Sequence, residues 1–495
     1  MAVPPAIGRA AVLLLIVGAA AFISFRGVYE PDLWYHLAQG RENAAGRIVR
    51  ENTFSFTYPA YRQRYASWLF DAAAYGAWRS MGGAGVQAFQ ALLLAATFAS
   101  VYRAARQTAP VVAAAAVLIA GVSVVEPRAI PRPHLASFAG LAMCMLIIER
   151  AVALRRIKPL WWAVPIVAVW SNFHVEAVFG AAALGVFAVC ELIAPSVFTR
   201  SDARRALVIA AVCGLATLAN PYGVGLWRYL IENRSVTGLL DIAELRPPYL
   251  GNHRGFFLYL VVAAAMLMLS ARGVRLWEIA LAAFAAGLGL RYLRFTPLVF
   301  IVTAPMIARR VADLMSRGLD GRAVLATAVA LAVVGARVPI PSASSTWQIG
   351  DAAIEPPAFF SPRAIAFVRR EGLNGPVFNS NNLGGYLAFN LYPDVRIFQD
   401  SRFQSYPPDH FRAILTASEA LPDWTSFVAV DWAVLSRARP DGLSGAGHFP
   451  ASDWATVFRD DAVEIVVRRS GRYGGLAAGK PPIGGAGDLF FEKAR

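Results

Sequence analysis

Charge is scarce in this chain: only 16% of its 495 residues are Asp, Glu, Lys or Arg, against 57% hydrophobic. Soluble domains carry roughly a quarter charged residues, so the deficit excludes an ordinary soluble protein and points to lipid. Cysteine is scarcer still. Cys144, Cys190 and Cys213 all fall inside apolar runs, which leaves no support for a disulfide framework or a cysteine zinc site and makes them small core hydrophobes. Nucleotide signatures are missing too: there is no G-x-G-x-x-G after a strand-like run, no Walker sequence and no G-x-S-x-G elbow. The formal charge of +15 raises nucleic acid as a partner. The basic residues, however, sit in short clusters between apolar runs, so no nucleic acid is expected and the pattern reads as membrane topology.

What is abundant is apolar sequence in lengths near the roughly 20 residues that a membrane span needs. Eleven runs qualify, near 8–25, 82–102, 109–125, 134–149, 159–174, 176–194, 205–220, 255–271, 274–290, 294–309 and 322–338. Every second connector is basic: Arg103 and Arg106; Arg150, Arg155, Arg156 and Lys158; Arg200, Arg204 and Arg205; Arg272 and Arg275; Arg309, Arg310, Arg317 and Arg322. The positive-inside rule places these in the cytoplasm, with the amino terminus inside and the carboxy-terminal segment outside. The first run reads as an uncleaved anchor, although Gly18 to Ala21 could serve a signal peptidase.

The outer side then holds two long connectors, 26–81 and 220–254. In the first, Asp32 follows the first span closely in "PDLWYH", flanked by Trp34, Tyr35 and His36. A carboxylate at the hydrocarbon edge could take a proton from a hydroxyl; it could equally cap a helix over Leu33 to Arg41. The stretch from Trp68 to Trp78 suits an amphipathic interfacial helix. Short outer connectors carry Glu126, Arg128, Arg132 and His134 in "VVEPRAIPRPH", and Arg291 and Arg294 in "RYLRF". Arginine runs against the positive-inside bias there. It serves either as a phosphate site, through its planar fork, or as a snorkelling anchor. "NFHVE" adds His174 and Glu176, and with His134 these residues suggest a polar cavity that could take a divalent cation such as Mg or Mn. The second long connector, with Trp227, Tyr229 and a weaker candidate in Glu244, reads as a cover over that cavity.

Beyond Pro339 the composition shifts. A Pro, Ser and Gly linker precedes helix-like "SPRAIAFVRREGLNG", "GGYLAFNL" and "PPDHFRAILTA", alternating with strand-like "PVFNS", "VRIFQD" and "WAVLSR". The expected fold is thus a polytopic α-helical membrane domain of about eleven transmembrane helices over 1–338, followed by an extracytoplasmic α/β domain over 339–495. In the latter, Asp400, Arg402 and Asp431 could meet an acceptor but read better as structural.

Several stretches, in order, resemble one family. "PDLWYHLAQGR…RIVRENTFSFT…ASWLFDAAAYGAW" is similar to the first outer loop of bacterial GT-C-type membrane glycosyltransferases of an uncharacterised branch. "RPHLASF", "WSNFHVEAVFG", "ANPYG", "ELRPP", "VFNSNNLGGYLAF" and "FQDSR" look like its later landmarks. The chain departs from the pattern at Tyr35, and at Tyr65, Ala66 and Ser67 where an Asn-His-Glu-like stretch is usual. The resemblance implies a lipid-linked sugar donor, typically a polyprenyl phosphate or diphosphate sugar, and inversion at the anomeric carbon. It also implies an outer-loop acid acting as base or metal ligand, a position that Asp32 matches and to which Glu126 adds a second acid.

The function expected is therefore transfer of a sugar from a polyprenyl-linked donor to an extracytoplasmic acceptor in the bacterial cytoplasmic membrane, in envelope polysaccharide or glycoconjugate synthesis. Asp32, His36 and Glu126 are the catalytic candidates. Arg128, Arg132, Arg291 and Arg294 are candidates for the donor phosphate, and His134, His174 and Glu176 for the polar cavity. Two alternatives stand beside it: a non-catalytic subunit docking with polysaccharide assembly partners, and a lipid-linked glycan transporter. The latter predicts charges at mid-span and an internal repeat, neither of which is evident.

Overall fold

The computed structural model describes residues 5–27, 30–62, 67–228, 230–231, 243–269, 273–335, 348–355, 359–407, 409–410, 429–437, 449–450 and 452–478. The linker after Pro339, Tyr65, Ala66, Tyr229, Arg272 and residues 411–417 of the expected helix lie outside them. In chain order the helices are α1 (Pro5–Ser24), α2 (Pro31–Ala44), α3 (Trp68–Ala105), α4 (Val111–Val125), α5 (His134–Leu154), α6 (Ala163–Phe173), α7 (Val178–Ile193), α8 (Arg200–Ala216), α9 (Arg254–Leu269), α10 (Leu276–Arg291), α11 (Thr296–Ser316), α12 (Gly321–Gly335), α13 (Asp351–Ile354), α14 (Pro362–Arg370), α15 (Gly384–Leu391) and α16 (Gly474–Ala477). The strands are β1 (Gly375–Asn379), β2 (Val395–Ile397), β3 (Trp432–Ser436), β4 (Trp454–Arg459) and β5 (Val463–Arg468).

The chain forms two compact units. One comprises Met1–Arg26, Gln87–Leu230 and Leu240–Trp347; the other comprises Gly27–Val86, Ile231–Leu239 and Gln348–Arg495. The first long connector thus groups with the carboxy-terminal sheet.

A helix occupies each of the eleven apolar windows, because in a chain short of polar side chains the helix satisfies every backbone group internally. Among the described residues four segments are long and apolar enough to cross a membrane: Trp68–Ala105, Val111–Arg128, His134–Leu154 and Val175–Ile193. Shorter apolar helices cover Ala10–Ser24, Arg254–Met268 and Gly321–Gly335. The chain is a membrane protein. In its helical unit, α7 packs on α8, α4 on α11 and α12, and α10 on α11. Phe98, Phe138, Phe187, Phe300 and Trp277 are fully buried among them. Small residues set the closest approach: a Cβ on Gly335 of α12 would lie 2.7 Å from the Gly255 Cα of α9.

Helix α3 changes direction at Met81 and Gly82, where Gly82 takes φ 57°, a value that strains any side chain. This break separates the Trp68–Trp78 stretch, expected as an interfacial helix, from the apolar part that follows. Beside it the Gly83 N–H donates to Asp351 Oδ1 at 2.7 Å.

The second unit is built on a mixed five-stranded sheet of order β2-β1-β3-β5-β4. β1 pairs in parallel with β2 and β3, whereas β5 runs antiparallel to β3 and β4. The three strands expected from sequence are present, and the β4–β5 hairpin adds two that the sequence reading did not single out. The first long connector joins this sheet as well: the Ile397 N–H donates to the Phe54 carbonyl at 3.0 Å, and the Phe56 N–H to the Ile397 carbonyl at 3.1 Å. Helix α2 lies on α15, which Gly385 permits, since a Cβ there would sit 2.8 Å from the Tyr35 nitrogen. The Gly384-Gly385 pair thus serves close packing.

Candidate functional site

The candidate residues of the helical unit are carried by the turns that follow α4, α6 and α10 and precede α5, α7 and α11. Glu126 to Arg128 form a single tight turn at the end of α4, steadied by Gln90 Nε2 donating to the Ala129 carbonyl at 2.7 Å. The His134 Nε2 lies 2.6 Å from the Arg128 carbonyl. A carbonyl only accepts, so Nε2 carries the proton. Glu126 is taken by Arg26, whose Nη1 donates to it at 2.9 Å.

Three guanidiniums then converge on Glu244. Arg128 Nη2 donates to Glu244 Oε2 at 2.8 Å, Arg132 Nη1 donates to the same oxygen at 3.1 Å, and Arg294 Nη1 lies 3.8 Å from Oε1. Arg294 Nη2 also donates to Glu176 Oε1 at 2.7 Å. The His174 Nδ1 lies 3.2 Å from Glu176 Oε2 and 2.7 Å from Ser137 Oγ, a hydroxyl that accepts from Trp170 Nε1 at 3.1 Å. The Leu293 N–H, donating to the Arg246 carbonyl at 2.9 Å, ties the Glu244 turn to the Arg294 turn. Three arginines face two carboxylates, an excess of positive charge held in partly buried surroundings.

Burial by itself would raise the Glu244 carboxyl. Arg132, Arg294 and Arg128 outweigh it and hold the group well below the usual carboxylate range. Its negative charge is therefore the anion that this cluster holds. Glu244 is weakly marked in sequence, because it lies 112 residues from Arg132 and nothing local sets it apart. Arg291 does not join the cluster: it is exposed and stacks on Tyr292 with 4.9 Å to the ring centroid. Ser137 and Trp170 were not singled out, although both lie in stretches that carry the family resemblance.

In the second unit, Glu30 caps α2 by accepting the Asp32 N–H at 3.0 Å, so Asp32 sits inside the first turn and is not the cap. The Ser401 hydroxyl donates to Asp32 Oδ1. His36 is buried, its Nδ1 2.7 Å from Asp71 Oδ1 and its ring edge-on to Phe70. Asp400 and Arg402 are both fully buried and joined through Nη2 at 2.7 Å. Arg402 also donates to Asn52 Oδ1 at 3.0 Å and lies over Phe54. This pair locks the first connector to the sheet.

A divalent cation needs several oxygen or imidazole ligands around one point. Among the described residues no group of three or more His, Cys, Asp or Glu offers that; His174 with Glu176, and His36 with Asp71, are pairs only. The described residues thus do not fit a resident metal.

This chain shares its fold with the archaeal oligosaccharyltransferase AglB and with ArnT, both GT-C glycosyltransferases. The archaeal oligosaccharyltransferase AglB of Archaeoglobus fulgidus, solved with an inhibitory peptide and a dolichol-phosphate, matches 87% of this chain and 70% of its own, at TM-score 0.58 and 13% identity. An Archaeoglobus fulgidus oligosaccharyltransferase in complex with Zn and sulfate matches 87% of this chain and 69% of its own, at TM-score 0.53 and 14% identity. ArnT of Cupriavidus metallidurans in the apo state matches 94% of this chain and 98% of its own, at TM-score 0.53 and 15% identity. No protein-family model and no curated protein matches the sequence.

Proposed function

We propose that this chain is an inverting membrane glycosyltransferase that takes a sugar from a polyprenyl phosphate or diphosphate and passes it to a glycan, lipid or protein acceptor. The setting would be the outer face of a bacterial cytoplasmic membrane, in envelope polysaccharide or glycoconjugate synthesis. The observation that carries the reading is the convergence of Arg128, Arg132 and Arg294 on one anion. Forked guanidiniums suit phosphate oxygens, and Glu244 would yield its place to them. An apolar cavity of 240 Å³ between α4, α9, α11 and α12, lined by Val117, Tyr259, Met266 and Ile307, offers the same unit a place for lipid chain.

In the reaction, the acceptor hydroxyl oxygen attacks the anomeric carbon. The bond from that carbon to the phosphate oxygen breaks, and the leaving polyprenyl phosphate keeps the electron pair. Arg128, Arg132 and Arg294 stabilise the charge that develops there. The hydroxyl proton passes to a base, for which the family resemblance makes Asp32 the candidate, and its own variant tests that role separately.

Native mass spectrometry of the detergent-purified chain titrated with undecaprenyl phosphate tests the donor class. Binding that falls at least tenfold in Arg128→Ala/Arg132→Ala supports it. Equal binding by the variant removes the phosphate site. The second reading, a non-catalytic subunit, draws on the engagement of Asp32 by Ser401 and of His36 by Asp71. Unchanged polysaccharide output in cells carrying Asp32→Ala would favour it.

A further inference from the structure

The carboxy-terminal turns of α3 and α5 and the connector after α5 frame a cavity of 700 Å³ in the helical unit, within the range of about 300–1,000 Å³ common for ligand sites. Arg103, Arg150, Arg156 and Lys158 line it, all exposed, and none forms an ion pair with a carboxylate among the described residues. Cations near helix carboxy-termini are ordinary, because the helix dipole favours them. Four of them around one concave space with no counter-charge call for an anion.

The local chain path is made for this clustering. Helix α5 ends at Arg155, which takes the left-handed conformation with φ 51° that glycine usually fills. The turn brings Arg156 and Lys158 back beside the last turns of α5, where Arg150 stands. The cavity has an apolar wall as well. Trp162 is 70% exposed and Leu154 52% exposed, and the adjoining Trp161 is also open. Tryptophan favours the headgroup level of a bilayer, and the connector is one of the basic ones expected on the cytoplasmic side.

We propose that this cavity binds the phosphate of an anionic phospholipid, with Arg103, Arg150, Arg156 and Lys158 holding the headgroup and Trp162 and Leu154 lying along the first part of its acyl chains. A lipid meets both the charge and the apolar wall, whereas a free phosphate leaves the wall bare. The site is separate from the Arg128, Arg132 and Arg294 cluster and does not depend on the transferase reading.

The test is native mass spectrometry of the full-length chain in detergent, titrated with phosphatidylglycerol, phosphatidylcholine or inorganic phosphate. Phosphatidylglycerol is expected to bind about tenfold more tightly than phosphatidylcholine, following the attraction of clustered cations for anionic lipid. Arg150→Gln/Arg156→Gln should abolish that preference, and Trp162→Ala should weaken lipid binding several-fold. Arg200→Gln/Arg204→Gln, which removes the same charge from exposed positions on α8, should leave it intact. Equal loss in both double variants would reduce the effect to net charge and overturn the site. Competition by inorganic phosphate at the same concentration as lipid would also overturn it, since the ligand would then be a soluble anion.

Discussion

Glu244 Oε2 lies 2.8 Å from Nη2 of Arg128, although 116 residues separate them. The same oxygen accepts from Arg132, so a single carboxylate occupies the focus of a basic cluster. An internal anion of this kind lowers the apparent affinity for any other anion by the fraction of time it stays in place. Glu244→Gln keeps the shape and removes the charge. It should raise the affinity for undecaprenyl phosphate about tenfold in a detergent titration, while Arg128→Ala in the same background should lose it.

The contact also carries a pH signature. The folded Glu244 carboxyl is held below its unfolded value, which is about 4.3. Its contribution to stability is therefore complete above that pH and is lost as pH falls further. Thermal unfolding of the wild type should show an added loss below about pH 4 that is missing in Glu244→Gln.

Arg402 is fully buried with Asp400, and the pair also engages Asn52. Removing one partner leaves a buried charge without its mate, so Arg402→Ala should cost about 3–5 kcal/mol in chemical denaturation. Arg402→Lys should restore little of it, because an ammonium cannot donate along the same fork.

His410 is buried against Tyr406, whose ring it stacks on at 5.1 Å between centroids, and its Nε2 meets Gln399 Oε1 at 3.2 Å. Burial pushes its pKa down to about 4. The unfolded imidazole titrates near 6.5, so the folded state gains from the neutral ring above about pH 6.5 and loses that gain as pH falls toward 4. Denaturation followed across this window should show a decline of up to about 3 kcal/mol, flattened in His410→Phe.

Asp32 accepts from Ser401, and Asn can accept from the same hydroxyl. Asp32→Asn should therefore keep its melting temperature while slowing sugar transfer at least about a hundredfold, the usual worth of a general base. Ser401→Ala separates the roles: it removes the hydrogen bond and leaves the carboxylate, so transfer should persist. Loss of transfer in both, with a lowered melting temperature in both, would make Asp32 structural.

The helices were legible because their signal is local: runs of apolar residues fix where a backbone must satisfy itself, and a helix stands in every such window. The amino-terminal strands of the sheet announced themselves in "PVFNS" and "VRIFQD" in the same way. The β4–β5 hairpin was legible in the same way, since "WATVFR" and "VEIVVR" are apolar and β-branched runs on either side of Asp460 and Asp461. Arg128, Arg132 and Arg294 stood out because they break the positive-inside pattern.

Which of these charges meet was decided only by the tertiary structure. Glu244 looks ordinary in its own connector and becomes the centre of the cluster, while Arg291, three residues from Arg294, turns away onto Tyr292. Likewise, the first connector reads as an outer-face segment with an interfacial helix, and nothing in it shows that Phe54 and Phe56 bond to Ile397 or that Arg402 is buried beneath it. Sequence by itself determined the lipid environment, the helices and the surplus of basic residues, because hydropathy and charge act over one turn or one span. Ion pairing acts across space, and a partner more than a hundred residues away leaves no trace in local sequence.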